Sequence, residues 1–346
     1  RVRITPACPG AGHTVGMLNA LASLFFYARF FPSFSRWGLK RRARDFTSQA
    51  FDFRGQRWVV SGATGGIGRA IALGAAAHGA EVVALGRDLM RLGELEREGH
   101  GRVHGFCVDL ASVAATDSAA QAIARQGRVD VLVNNVGLML HRFQRSPEGI
   151  EVGFATNLLN HLVLTEGLRA AAALDARSSV ISMSSGGMYG ARLDLDALEA
   201  ADAEGHNGLA AYAQHKRAQV ELTRWWNRLG EGAPRAYVMH PGWVDTEGVR
   251  SALPLFRRSL RPWLRNAGEA ADTALWLAAT RPEVTIEGGI WLDRSLQTEH
   301  AFGFTRDGAD CDALVAALRV RLRTLSAGLE RSPAPAREPQ VPGAAG

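Results

Sequence analysis

Ser61-Gly62-Ala63-Thr64-Gly65-Gly66-Ile67-Gly68 follows a short apolar run, Arg57-Trp58-Val59-Val60, and precedes a helix-like segment, Arg69 to His78, rich in Ala, Ile and Leu. Strand, glycine turn and helix in this order present backbone N–H groups and a helix N-terminus to a pyrophosphate. Gly62 allows the tight turn, Gly66 lets the backbone approach phosphate without an intervening Cβ, and Gly68 allows the helix to pack closely on the strand. Thr64 and Ile67 complete the candidate cradle. A glycine turn alone is a weak signal, and its weight depends on what surrounds it.

Downstream, apolar runs recur at Glu81–Leu85, Val103–Val108, Val129–Val133, Ser179–Met183, Ala236–Met239 and Gly289–Leu292, with helical patterns between most of them. Such alternation predicts an α/β fold with a doubly wound parallel sheet covered on both faces. The 346 residues are 47% hydrophobic and 21% charged, enough for one sizeable core. The expected organisation is an N-terminal segment over 1–50, a single domain over 51–328 and a disordered tail over 329–346, where Pro, Ala, Gly and polar residues dominate. Cys8, Cys107 and Cys311 are far apart and form neither a metal-ligand set nor a disulfide framework. Cys107 reads as core, and the compartment as reducing. The net charge of +6 admits anionic partners, but the basic residues follow no nucleic-acid recognition motif.

Arg1 to Gly16 read as coil, and Met17 is a candidate start. Met17 to Phe31 carry Leu, Phe and Ala with one charge, Arg29. As a helix they span about 22 Å at ~1.5 Å per residue, short of a ~30 Å hydrocarbon core. Pro32 follows, then Arg36, Lys40, Arg41, Arg42 and Arg44. Three readings stand open: a helix docked on the domain, a peripheral anchor at an anionic membrane surface, and a signal peptide without a clear cleavage site.

The second predicted strand ends in Leu85-Gly86-Arg87-Asp88. Gly86 stands where an NAD-preferring fold would place an acidic residue for the ribose hydroxyls, and Arg87 suits a 2′-phosphate. This favours NADP(H) over NAD(H). Asp88 fits a helix N-cap. Asp109, with Leu110 beside it, can accept from an adenine amino group or cap the helix near Ser112. In Asn134-Asn135-Val136-Gly137, Asn side chains can tie strands together, while Gly137 admits close cofactor approach. Tyr212 and Lys216 are four apart and share a helix face. A phenol is a poor acid near neutral pH, and a neighbouring ammonium favours its phenolate. The strand-end pair Ser184-Ser185 can supply a hydroxyl donor to a carbonyl.

Together these motifs resemble the short-chain dehydrogenase/reductase family, from Gly55 to about Leu292. The resemblance implies a Rossmann fold and a catalytic tetrad of Asn157, Ser185, Tyr212 and Lys216, with Ser184 and Asn160 as alternatives for the serine and asparagine. It implies that Asn157 orders a water leading to Lys216. His240-Pro241-Gly242-Trp243-Val244-Asp245-Thr246 is similar to the family's Pro-Gly turn, which would place Pro241, Gly242, Val244 and Thr246 at the cofactor. Gly62, Gly65 and Gly68 also fit the spacing of the family's extended branch, whereas Asn-Asn-Val-Gly and the chain length favour the shorter one.

Ser185 and Tyr212 are 27 positions apart, wider than in common members, so Leu193–Gly208 reads as an inserted acidic loop beside the pocket or as a solvated surface loop. Arg250–Asn266 reads as a lid, with Leu253, Leu255, Phe256, Leu260, Trp263 and Leu264 lining the pocket and Arg257, Arg258, Arg261 and Arg265 on a cationic rim, or as a surface amphipathic helix.

The expected activity is hydride transfer between NADP(H) and a lipophilic carbonyl or alcohol. The expected location is the cytoplasm, with the membrane's cytosolic face and self-association as further expectations. A catalytically slow NADP(H)-binding sensor or scaffold is the alternative.

Overall fold

The computed structural model describes residues 25–47, 50–284 and 288–331. Its strands are β1 Arg57–Ser61, β2 Glu81–Gly86, β3 Val103–Cys107, β4 Val131–Asn134, β5 Ser179–Met183, β6 Arg235–Met239, β7 Ile290–Leu292 and β8 Ser295–Gln297. They form one sheet in the order β3-β2-β1-β4-β5-β6-β7-β8. Neighbours from β3 to β7 run parallel. The predicted doubly wound sheet is therefore present. Strand order reverses between β1 and β4, which opens a crevice beyond their carboxyl ends. The sequence reading missed β8, which pairs antiparallel with β7 through a two-residue turn. Asp293 and Arg294 make that turn with φ of 51° and 59°, a geometry more often signalled by Asn-Gly.

The helices are α1 (residues 25–34), α2 Arg36–Arg42, α3 Gly66–Ala77, α4 Leu89–Glu98, α5 Val113–Ala124, α6 Val152–Phe154, α7 Asn160–Ala170, α8 Gly208–Asn227, α9 Glu247–Ala252, α10 Pro254–Leu260, α11 Ala267–Thr280 and α12 Cys311–Arg331. Small residues let α3 sit against the sheet, where Ile71, Ala72 and Ala75 are fully buried beside Ala274 and Leu277 of α11. On the opposite face, α5, α7 and α8 bury Ala120, Ile123, Leu168, Leu222 and Trp226, and α12 adds Leu314 and Leu318 outside α8. Residues 332–346, most of the expected tail, lie outside the described residues.

A third apolar cluster joins the chain start to the carboxyl ends of β6 and β7. Phe30 and Phe34 are buried among Met188, Tyr189, Trp243, Ile290 and Leu292. Phe34 stacks on Phe30 at 4.6 Å and meets the His240 ring edge-on at 4.3 Å. The Trp243 amide donates to the Phe34 carbonyl at 2.9 Å. Beneath this contact, Arg265 grips Asp293 bidentately at 2.6 and 3.0 Å and donates to the carbonyls of Pro241 and Ser33, both at 3.0 Å. Arg42 pairs with the same carboxylate.

Residues 25–47 are thus docked on the domain. Three expectations need correction. Phe30 is buried, so it cannot enter a membrane as the anchor reading required. Arg36 and Arg42 are paired with Glu269 and Asp293, where the anchor reading would turn them to lipid phosphates. Arg265 is a buried ion-pair partner, not part of a cationic rim. Residues 1–24, where the apolar segment begins, lie outside the described residues. Cys107 is also corrected: it is exposed, because β3 is the edge strand and shows much of its length to solvent.

Candidate active site

The nucleotide side of the crevice is written in backbone. Gly62 and Gly66 take φ of 63° and 53°, conformations that favour glycine. A Cβ on Gly68 would overlap the Gly62 carbonyl oxygen and the Asn135 amide. Asn135 ties the end of β4 to the turn, its Nδ2 donating to the Ser61 carbonyl at 2.9 Å and the Gly62 carbonyl at 3.3 Å. Thr246 lies over the turn, with its Cγ2 3.4 Å from the position a Gly66 Cβ would take. The cradle fits a pyrophosphate: it is narrow, glycine-lined and placed at the N-terminus of the 12-residue α3.

At the end of β2, a Cβ on Gly86 would overlap Thr64. An acidic side chain could not stand there without displacing Thr64. Arg87 is exposed at the same edge. Arg91, which the sequence reading passed over, lies 3.9 Å from the Cβ position of Gly65 and pairs across the crevice with Glu247 at 2.9 Å. Its spacing of one helical turn from Arg87 was the available signal. Asp88 caps α4 by accepting from the Arg91 amide at 3.1 Å. Asp109 accepts from the Ala111 amide at 2.9 Å, while Ser112, not Asp109, caps α5. Leu110 is buried beside it.

The chemical centre lies where β5 ends against α8. Ser185 stands beside Tyr212 and opposes the upward pull of burial on its phenol pKa. Ser184 is buried and donates to the Lys216 carbonyl at 2.7 Å, so of the serine pair only Ser185 faces the phenol. Lys216 Nζ sits 5.5 Å from the Tyr212 ring centroid and donates to the Met183 carbonyl at 2.7 Å. Burial draws its pKa down to about 7. A Cβ on Gly137 would lie 3.1 Å from this ammonium, so that glycine keeps the approach open.

Asn157 lies in a π-helical turn, Ala155–Leu159, that joins α6 to α7. Its side chain pairs with Leu138, accepting from the amide at 2.7 Å and donating to the carbonyl at 2.8 Å. Its backbone carbonyl accepts from Gln219 Nε2 at 2.6 Å. A side-chain amide of α8 is thereby tied to the π-helical turn. Asn160 is directed elsewhere, to the Leu110 carbonyl. The structure thus gathers Asn157, Ser185, Tyr212 and Lys216 around one point, and adds Gln219.

Two helices, α9 and α10, form in the segment read as a lid or as a surface amphipathic helix. Phe256 and Leu260 pack on the aromatic cluster, Leu264 is buried, and Leu255 and Trp263 remain exposed. Asp245 holds Arg257 at 2.7 Å and Arg250 at 3.1 Å, and these partners hold its carboxyl down at about 2. The acidic loop is anchored: Leu193 and Leu198 are buried, Glu199 pairs with Arg321 at 2.7 Å, and the Leu198 carbonyl meets His215 Nε2 at 2.7 Å. Residues 201–205 form its exposed tip. Gly242, at φ 76°, leaves no room for a Cβ beside Arg265 and the Phe34 carbonyl. Pro241 and Val244 complete the turn above the crevice, with Val244 buried. Among the described residues no His, Cys, Asp and Glu group could hold a metal ion.

Fold, glycine turn and the Ser–Tyr–Lys cluster define a nucleotide-binding oxidoreductase. A model of the short chain dehydrogenase family matches residues 56–193. A dehydrogenase/reductase SDR family member 12 from Bos taurus is 33% identical over 287 residues, covering 80% of this chain and 90% of its own length. A polyprenol dehydrogenase from Mus musculus is 33% identical over 267 residues, covering 72% of this chain and 78% of its own. Among solved structures, a putative NAD(P)-dependent gluconate 5-dehydrogenase from Beutenbergia cavernae, with bound NADP, has a TM-score of 0.51 and 28% identity over 67% of this chain and 92% of its own. The chain belongs to the short-chain dehydrogenase/reductase family.

Proposed function

We infer that this protein transfers a hydride between NADP(H) and a lipophilic carbonyl or alcohol. The observation that carries the reading is the Lys216 Nζ placed 5.5 Å from the ring centroid of a half-buried Tyr212, with Ser185 beside the phenol. Bound in the glycine cradle, the nicotinamide cofactor supplies the hydride. In the reductive direction Tyr212 gives its proton to the carbonyl oxygen, and Ser185 polarises that oxygen by hydrogen bonding. The charged Lys216 favours the phenolate that remains. Arg87 supports the preference for NADP(H), reinforced by Gly86, where Thr64 leaves no space for an acidic side chain. The aromatic lining from α1, α10 and Trp243 supports an apolar substrate. The polyprenol dehydrogenase relative accords with it.

A cytosolic position at a membrane surface fits the exposed Phe25, Leu255, Trp263 and Phe304. Among the described residues no helix is long and apolar enough to cross a membrane. The deciding experiment follows NADPH oxidation across retinoids, steroids, quinones and fatty aldehydes. Turnover of one class by wild type supports the reading. NADPH binding with no turnover on the whole panel overturns it in favour of a sensor.

A further inference from the structure

The side chain of Gln219 is buried three residues after Lys216, one helical turn along α8. Its amide makes three contacts. Oε1 accepts from Lys216 Nζ at 3.3 Å, and Nε2 reaches the Asn157 carbonyl at 2.6 Å and His161 Nδ1 at 3.2 Å. The orientation is dictated by its partners. A flipped amide would set its oxygen against the Asn157 carbonyl and its N–H groups against an ammonium. His161 must accept at Nδ1, so its Nε2 carries the proton and donates to the Val136 carbonyl at 3.0 Å. Burial keeps this imidazole neutral, with its pKa drawn down to about 3. The links run without a break from Lys216 through Gln219 to the π-helical turn of Asn157, and through His161 to the strand-end segment that holds Gly137.

We propose that Gln219 is a positioning residue for Lys216: its amide bridges the ammonium to the Asn157 backbone carbonyl and so holds the charged amine beside Tyr212. The proposal rests on the reading of Tyr212 and Lys216 given above. Lys216 is buried and its other acceptor is a backbone carbonyl that cannot move with it. A burial that penalises the charged form needs acceptors on the ammonium to offset it. The titratable groups facing Lys216 are Tyr212 and His215 on its own helix and His161 on α7. Burial keeps His215 neutral, its pKa drawn down to about 4, as it does His161, so neither imidazole sets a like charge against the ammonium. Gln219 contributes a second acceptor to an ammonium that carries three donors. Asn157 joins this bridge through its backbone carbonyl, while its side chain pairs with Leu138.

The test measures NADPH affinity by fluorescence from roughly pH 5 to 9, a range that brackets a lysine whose pKa burial has drawn down to about 7. It also measures kcat and KM with phenanthrenequinone as carbonyl probe. Gln219→Met keeps the length and removes both polar ends. It should lower kcat about tenfold or more, the scale of a lost hydrogen bond to a charged group, with KM within about threefold. The loss of NADPH affinity at high pH should move to lower pH by about one unit. Gln219→Glu puts a carboxylate beside the ammonium and should move that loss to higher pH. Opposite shifts in the two variants support the proposal, since a core residue that only stabilises the fold would give none. An affinity profile unmoved in both variants overturns it. Gln219→Asn, too short to reach both partners, replaces the Met variant should that variant fail to fold, with the same expected shift. Wild type that binds NADPH but turns over no carbonyl overturns the proposed function alone, because the binding profiles still decide for or against Gln219.

Discussion

The two halves of the crevice are built by different means. On the nucleotide side, β1, β2, β4 and α3 make a surface of backbone, with glycines where the chain turns or approaches closely. Beyond it, large side chains delivered by segments far apart in the chain pack on one another in an aromatic cluster: Phe34 from α1, Tyr189 after β5, Trp243 after β6 and Phe256 from α10. The first half is local and repeats the geometry of a parallel sheet. The second depends on long-range ion pairs, above all Asp293 with Arg265 and Arg42. The regular half is therefore set by local geometry, and the assembled one by partners distant in the chain.

Each perturbation below should strike one half and spare the other. Tyr212→Phe, at the boundary, removes the proposed proton donor and leaves the ring in place. Turnover should fall by about 10²–10⁴-fold, the range for general acid–base catalysis, with NADPH affinity nearly unchanged. A mutant with near-native kcat would remove Tyr212 from the chemistry.

Asp293→Ala leaves Arg265 buried without its partner. Breaking a buried pair in this way costs about 3–5 kcal/mol, to be read from denaturant unfolding. At temperatures where the variant stays folded, NADPH should still bind. Equal loss of NADPH binding would show that the two halves are one unit and end the comparison.

Arg87→Asp acts on the nucleotide half alone. It removes a partner for a 2′-phosphate and adds a like charge. The ratio of kcat/KM for NADPH over NADH should drop by about 10–100-fold, as for a lost hydrogen bond between charged groups. An unchanged ratio would leave the cofactor preference without a cause at Arg87.

The smallest effect is read per unit of pH. His240 lies under Phe34, and burial together with Arg265 and Arg42 draws its pKa to about 3. Below about pH 6.5 the unfolded chain takes up a proton that the folded one refuses, so stability falls as pH drops toward 3. The slope is at most about 1.4 kcal/mol per pH unit for this histidine. His240→Phe should flatten that part of the pH–stability curve. An unchanged slope would mean that His240 is not held neutral by α1.

The same contrast explains what was legible in the sequence. Seven of the eight strands and the glycine turn were readable because local periodicity and glycine placement determine them. The strand β8 escaped because Asp293-Arg294 is an unusual pair for its turn, stabilised by partners that no local pattern reveals. Tyr212 and Lys216 were readable from spacing on one helix. Gln219 was not: nothing in its type distinguishes it from a surface glutamine until the π-helical turn of Asn157 is brought against it. The Phe-rich start was ambiguous between lipid and protein, because both offer an apolar medium, and only the distant Asp293 and Trp243 resolve where Phe30 and Phe34 go.

The docking of α1 and α2 also sets a schedule for synthesis. Arg42 must wait for Asp293, 251 residues later in the chain. At ~5–20 residues per second that interval is roughly 10–50 s. Through it, Phe26, Phe30 and Phe34 are made well before Ile290 and Leu292, which complete their seat, so the growing chain carries an unburied aromatic segment over that interval.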